Sequence, residues 1–125
     1  MPARVLVSVV IPAYNYERFL PAAIDSVLAQ TYHPIELVVV DDGSTDGTHC
    51  VLGAYGDRIR SIRKKNAGLS AVRNTGIRAA NGNFIAFLDA DDLWMPEKIE
   101  RQMEIYAKHP DAVCVGCGVE LVDSD

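Results

Sequence analysis

The chain has 125 residues, 49% of them hydrophobic, with 12 basic against 17 acidic side chains and a net charge of −5. That length supports one domain with a real core and leaves no room for two ordinary ones. The acidic balance argues against a nucleic-acid surface, and no apolar run approaches the ~18 residues that a membrane-spanning helix needs.

Val5 to Ile11 is nearly all β-branched or aliphatic, which predicts a parallel strand buried on both faces. It stops at Pro12 without a signal-peptide cleavage pattern, so the segment is expected in the cytoplasm or at a cytoplasmic membrane face. Phe19/Ala23, Leu20/Ile24 and Ile24/Leu28 stand at i,i+4 and predict a helix over 17–30, with Asn15 as its cap. Leu37 to Val40 reads as a second buried strand that runs directly into Asp41-Asp42-Gly43. A helix is expected over 45–54, and Asp41, Ser44 or Thr45 can cap it. Arg58 to Arg63 reads as a short polar strand at a sheet edge. Its basic residues, with Lys64 and Lys65, read as solvated edge charge rather than a ligand site.

Leu69, Val72, Gly76 and Ala80 mark a third helix closed by Asn81-Gly82. Phe84 to Leu88 is a fourth strand, Pro96 opens a fourth helix that His109-Pro110 ends, and Ala112 to Val119 is a fifth strand. Strict alternation with short loops predicts an α/β fold: three α/β/α layers around a mainly parallel, doubly wound sheet, in a single domain over 1–125. Three cysteines without a secretory signal imply reduced thiols. Cys114 and Cys117 form a C-x-x-C with no second ligand pair, so these two are expected as core thiols.

The acidic turns carry the chemistry. Asp89-Ala90-Asp91-Asp92 places three carboxylates in four residues where a buried strand leaves the core. Unpaired, they repel one another and are costly to desolvate. Hard oxygen ligands suit Mg²⁺ or Mn²⁺, and Mg²⁺ takes one or two carboxylates plus phosphate oxygens. A polar turn with Asp92 capping the next helix is the bland alternative. The sheet order weighs against it. If the second and fourth strands flank the first, Pro12-Ala13-Tyr14-Asn15, Asp41-Asp42-Gly43-Ser44 and the D-x-D turn surround one pocket at the topological switch point.

Four strings, SVVIPAYN (8–15), ELVVVDDGSTDGT (36–48), NAGLSAVRNTGI (66–77) and FIAFLDADDLWMP (84–96), resemble in order and spacing the inverting glycosyltransferases of family 2, which have the GT-A fold. The resemblance covers nearly the whole chain and implies the nucleotide-sugar-binding, N-terminal portion of a longer enzyme of polysaccharide or related biosynthesis. It implies that Pro12, Tyr14 and Asn15 belong to the substrate-binding first loop, with Pro12 and Tyr14 bordering the base. Asp42 falls on the carboxylate that pairs with the uracil edge, Arg73 on the basic residue near that base, and Asp89 on the acid near the ribose. Asp91, with Asp89, falls on the metal site for Mg²⁺ or Mn²⁺.

The implied donor is a UDP-sugar, and the acceptor is a carbohydrate, a lipid-linked group or a protein. The general base of that family lies well beyond the D-x-D motif, so it is expected beyond Asp125; Glu120, Asp123 and Asp125 do not match it. These residues are therefore expected to bind nucleotide without transferring sugar, and an uncovered apolar surface near the fifth strand favours self-association. A nucleotide-binding module without catalysis is the alternative. Competing motifs fail on residues. The EF-hand-like run from Asp42 has Gly53 at its twelfth position, and no P-loop or G-x-G-x-x-G follows the first strand.

Overall fold

The near-continuous aliphatic run after Leu6 has no solvent-facing side, and β1 (Val7–Ala13) is buried at every position. The computed structural model describes residues 4–116. β1 pairs in parallel with β2 (Ile35–Asp41) along its whole length. β3 (Arg60–Arg63) lies outside β2, and β4 (Phe84–Phe87) lies on the other side of β1, so the order is β3-β2-β1-β4. The first strand is therefore flanked by the second and fourth, and the polar β3 is an edge, as expected.

Alternation along β1 feeds two cores. Val9, Ile11 and Ala13 pack with Leu20, Ala23, Ile24 and Val27 of α1 (Leu20–Leu28) and Leu52 of α2 (Thr48–Tyr55). Val10 joins Val38, Val40 and Val72 of α3 (Leu69–Ala79) on the opposite face. Ile99 of α4 (Lys98–Lys108) packs with Val7 and Tyr32, with Phe84 and Met103 alongside. Helices cover both faces, giving the three-layer α/β/α fold; each fully buried aliphatic side chain contributes about 1.5–3 kcal/mol. A side chain at Gly76 would collide with Val10, so this glycine sets how closely α3 approaches the sheet.

Pro12 interrupts a central strand without leaving a broken ladder. The Val10 carbonyl accepts from Leu88 N at 3.1 Å, so Pro12, two residues on, turns its nitrogen to the same side. There, β4 has already parted from β1, whose last partner pair is Val10 and Phe87. A missing N–H costs little at such a point.

Several expected boundaries move, each because a polar group has a better partner. Asn15 does not cap α1: the cap position is Phe19, without a side-chain bond, and Asn15 is engaged by the 45–46 loop. That same loop delays α2 to Thr48. Asp46, rather than Asp41, Ser44 or Thr45, accepts from Thr48 N (2.9 Å) and Thr48 Oγ1 (2.6 Å). Its carboxyl is held below the usual range chiefly by the Thr48 hydroxyl. Pro96 precedes α4 instead of opening it, and its carbonyl accepts from Thr31 N at 2.9 Å.

Residues 112–116 of the expected fifth strand are irregular, with Val115 O bonded to Gln102 Nε2 at 3.0 Å; 117–119 lie outside the described residues. Cys114 is exposed rather than a core thiol, and Cys50 is exposed as well. Cys50 falls between the inward-facing Thr48 and Leu52 of α2, and Cys114 lies in the irregular stretch after α4. Cys117, Glu120, Asp123 and Asp125 lie outside the described residues. No helix of the described residues is long and apolar enough to cross a membrane.

Candidate functional site

Three chain segments leave the carboxyl ends of β1, β2 and β4 toward one side of the sheet. Between them lies a cleft of about 460 Å³ lined by Pro12, Tyr14, Asp42, Asp89 and Asp91, together with Tyr16, Asn66, Gly68 and Leu69. Five of the seven residues singled out in the sequence thus share one concavity at the switch point. Arg73 and Asn15 stand beside it and are not part of its lining.

Asp42 is 5% exposed and ties two loops together. Its Oδ1 accepts from Ala67 N at 2.9 Å and its Oδ2 from Gly68 N at 3.0 Å, with Lys64 Nζ 3.6 Å from Oδ1. Each oxygen of a carboxylate has about two acceptor sites, so one bond apiece leaves capacity facing the cleft. Gly43 makes the tight passage possible: φ is +74°, and a Cβ there would sit 2.9 Å from Asn66 N. Gly68, at φ +94°, turns the chain into α3.

Asp41 is buried beneath the same turn at 1% exposure. Its Oδ1 accepts from Ser44 N at 2.9 Å, whereas Oδ2 has no hydrogen-bond partner and stands 4.0 Å from Arg63 Nε. Three members of the basic cluster also donate to backbone carbonyls. Arg60 Nη1 donates to Ala79 O (2.6 Å), Arg63 Nη2 to Ser44 O (3.2 Å), and Lys64 Nζ to Lys65 O (3.1 Å).

The D-x-D turn is open by comparison. Asp89 is 57% exposed, and Arg73 Nη2 is 3.9 Å from its Oδ1. The Arg73 guanidinium lies 5.7 Å from the Phe87 ring centroid, and its buried Nε has no hydrogen-bond partner. Burial first, then the charges of Asp91 and Asp89, push the Asp92 carboxyl above its ordinary range. Among the described residues no group of three or more His, Cys, Asp or Glu could hold a metal unaided. Two exposed hard-oxygen donors, Asp89 and Asp91, on a cleft wall fit a divalent ion that completes its shell from phosphate oxygens and water.

Asn66, Gly68 and Leu69 were missed as lining residues, although they sit inside one of the four matching strings. The loop offers the backbone amides of Ala67 and Gly68, which no side-chain pattern announces. A second cleft, about 320 Å³ between β4 and α4, includes Phe84, Met103 and Tyr106 and has no carboxylate in its lining.

Residues 8–124 match the family model described as Glycosyl transferase family 2. The chain belongs to this family. An uncharacterized glycosyltransferase of Rickettsia typhi is 45% identical over 119 residues, covering 94% of this chain and 37% of the relative. One from Nostoc is 43% identical over 123 residues, 95% of this chain and 38% of the relative. The family 2 chain thus spans well under half the length of these relatives. Among solved structures, Staphylococcus aureus TarS 1-349 in complex with UDP-GlcNAc aligns at TM-score 0.76 and 29% identity, over 83% of this chain and 32% of that one. A Pyrobaculum calidifontis mannosyltransferase in complex with GDP-Man and Mn²⁺ aligns at TM-score 0.73 and 27% identity, over 84% and 33%. The fold of this family 2 chain is that of the GT-A glycosyltransferases.

Proposed function

We propose that this family 2 chain holds a UDP-sugar in the cleft, for inverting transfer of the sugar to an acceptor hydroxyl at the cytoplasmic face of a membrane or in the cytoplasm. The observation that carries the reading is the convergence of Asp42 with Asp89 and Asp91 on one cleft from turns about fifty residues apart in sequence. The UDP-GlcNAc and UDP complexes of a solved relative support the nucleotide class.

In this reading the free lone pairs of Asp42 accept the imide N–H of uracil, and Tyr14 covers the face of the base. Asp89 accepts from a ribose hydroxyl, and Arg73 supplies donors to a base carbonyl or phosphate. Asp91, with Asp89, would hold Mg²⁺ or Mn²⁺ at the diphosphate end of the site. When bound, the ion offsets charge developing on the departing nucleotide diphosphate. The carboxylate that deprotonates the acceptor is placed after Asp125, so the 125 residues bind donor without acceptor-dependent turnover.

Calorimetry tests the site. UDP is expected to bind at least ~10-fold, about 1.4 kcal/mol, more tightly with Mn²⁺ than with EDTA, and Asp91→Ala to abolish the difference. Equal affinities in the unmutated chain would remove the metal bridge. Acceptor-dependent turnover of UDP-sugars well above hydrolysis would show that the general base lies within these residues.

A further inference from the structure

Asn15 lies between two residues that line the cleft, Tyr14 and Tyr16, yet is not itself part of the lining. Its φ is +57°, the left-handed region that asparagine tolerates better than most side chains. This conformation accompanies a carboxamide that reaches the loop after β2. Asn15 Oδ1 accepts from Thr45 N at 2.8 Å and Asp46 N at 3.3 Å, with Thr45 Oγ1 at 3.4 Å. The backbone answers in the other direction: Asn15 N donates to Ser44 Oγ at 3.0 Å, and Ser44 N donates to the buried Asp41 at 2.9 Å. Two loops about thirty residues apart are joined at three successive positions, 44, 45 and 46.

We infer that Asn15 is a positioning residue that fixes Tyr14 and Tyr16 on the cleft by clamping the first loop to the Asp41–Asp46 turn, and that it does not itself touch the nucleotide. The inference rests on the proposed nucleotide site for its consequence, though the clamp stands on geometry alone. Two properties are needed at once, a left-handed backbone and a side-chain acceptor of the right length. Asparagine has both, glycine has only the first, and aspartate keeps both. In the proposed reading the aromatic rings border the base, whereas Asp89 and Asp91 lie on a turn that the clamp does not reach. Losing Asn15 should therefore harm recognition of the nucleoside and spare the metal.

The test uses Asn15→Gly and Asn15→Asp in the 125-residue chain, at about 0.3 M salt to weaken the repulsion between the added charge and Asp46. Asn15→Gly should speed hydrogen exchange at the Thr45 and Asp46 amides by ~10-fold or more, and Asn15→Asp should restore protection. UDP affinity should fall ~10-fold in the glycine variant and recover to within ~3-fold in the aspartate variant, while Mn²⁺-pyrophosphate binding stays within ~2-fold in both. Unchanged exchange at Thr45 and Asp46 in Asn15→Gly overturns the clamp. Faster exchange in Asn15→Gly with unchanged UDP affinity overturns the positioning role, as does parallel loss of UDP and Mn²⁺-pyrophosphate, which marks general damage. If the unmutated chain binds no UDP, the nucleotide reading falls, and the exchange data alone still decide for or against the clamp.

Discussion

The two ends of the sheet treat their acids in opposite ways. At the amino end, Glu36 of β2 accepts from Ser8 Oγ (2.6 Å), Asn81 N (2.9 Å) and Asn81 Nδ2 (2.8 Å), and Ser8 Oγ in turn accepts from Gly82 N (2.8 Å). Burial pushes the Glu36 carboxyl upward, but the Ser8 and Asn81 hydrogen bonds, with the charge of Arg60, outweigh it and hold the group below its ordinary range. At the carboxyl end, Asp42 has one bond per oxygen, Asp41 Oδ2 has none, and Asp89 meets a cation only at 3.9 Å. A satisfied acid is part of the scaffold. An acid left with spare acceptors at the mouth of a strand can serve a ligand.

Asp42 belongs partly to each class, and its substitution is expected to have the largest effect on stability. Asp42→Ala leaves the Ala67 and Gly68 amides without their acceptor and frees the loop that carries Asn66. A loss of about 2–3 kcal/mol in urea unfolding is expected, with UDP affinity falling more than ~10-fold in the remaining folded protein. An unchanged unfolding midpoint would place Asp42 wholly with the ligand-facing acids.

Glu36→Gln comes next, at about 1–2 kcal/mol near pH 7, because the amide replaces one acceptor oxygen with a donor facing donors. The pH dependence follows from the depressed carboxyl. A group whose folded value lies below its unfolded value of 4.5 contributes stability above that value and loses it as pH falls through the folded one. The gap between wild type and Glu36→Gln should therefore close in acid and stay constant from about pH 6 to 8. A gap that persists at low pH would trace the effect to packing instead of charge.

Much of this division was legible in the sequence, for a physical reason. Val9 to Ile11 and Leu37 to Val40 are apolar on consecutive positions, and strands covered on both faces need that whatever their neighbours. The D-x-D and Asp41-Asp42 turns announced themselves by local charge density. Non-local pairing stayed hidden: Asn15 looked like a helix cap because its partners, Thr45 and Asp46, lie thirty residues away. The Asn66–Gly68 wall was missed because it offers backbone amides, which carry no side-chain signature. Cys114 was expected in the core because its segment reads as a strand, yet residues 112–116 are irregular and leave it exposed.

The smallest stability effect should come from Asp89, and that smallness is the point. Its side chain is more than half exposed, and its ion pair with Arg73 at 3.9 Å is long and solvated. Exposed pairs of this kind contribute about 0–1 kcal/mol. Asp89→Asn should shift unfolding by less than ~0.5 kcal/mol, within the range of ordinary surface changes. The same substitution removes a negative oxygen from the proposed metal and ribose site, so Mn²⁺-dependent UDP affinity should drop by ~10-fold or more. Set beside Glu36→Gln, this inverts the pattern: one acid is felt in unfolding and not in binding, the other in binding and not in unfolding. Paired calorimetry and urea melts on both variants measure it. A Glu36 variant that loses UDP affinity as strongly as the Asp89 variant would break the division, because the two acids sit at opposite ends of the strands and share no partner.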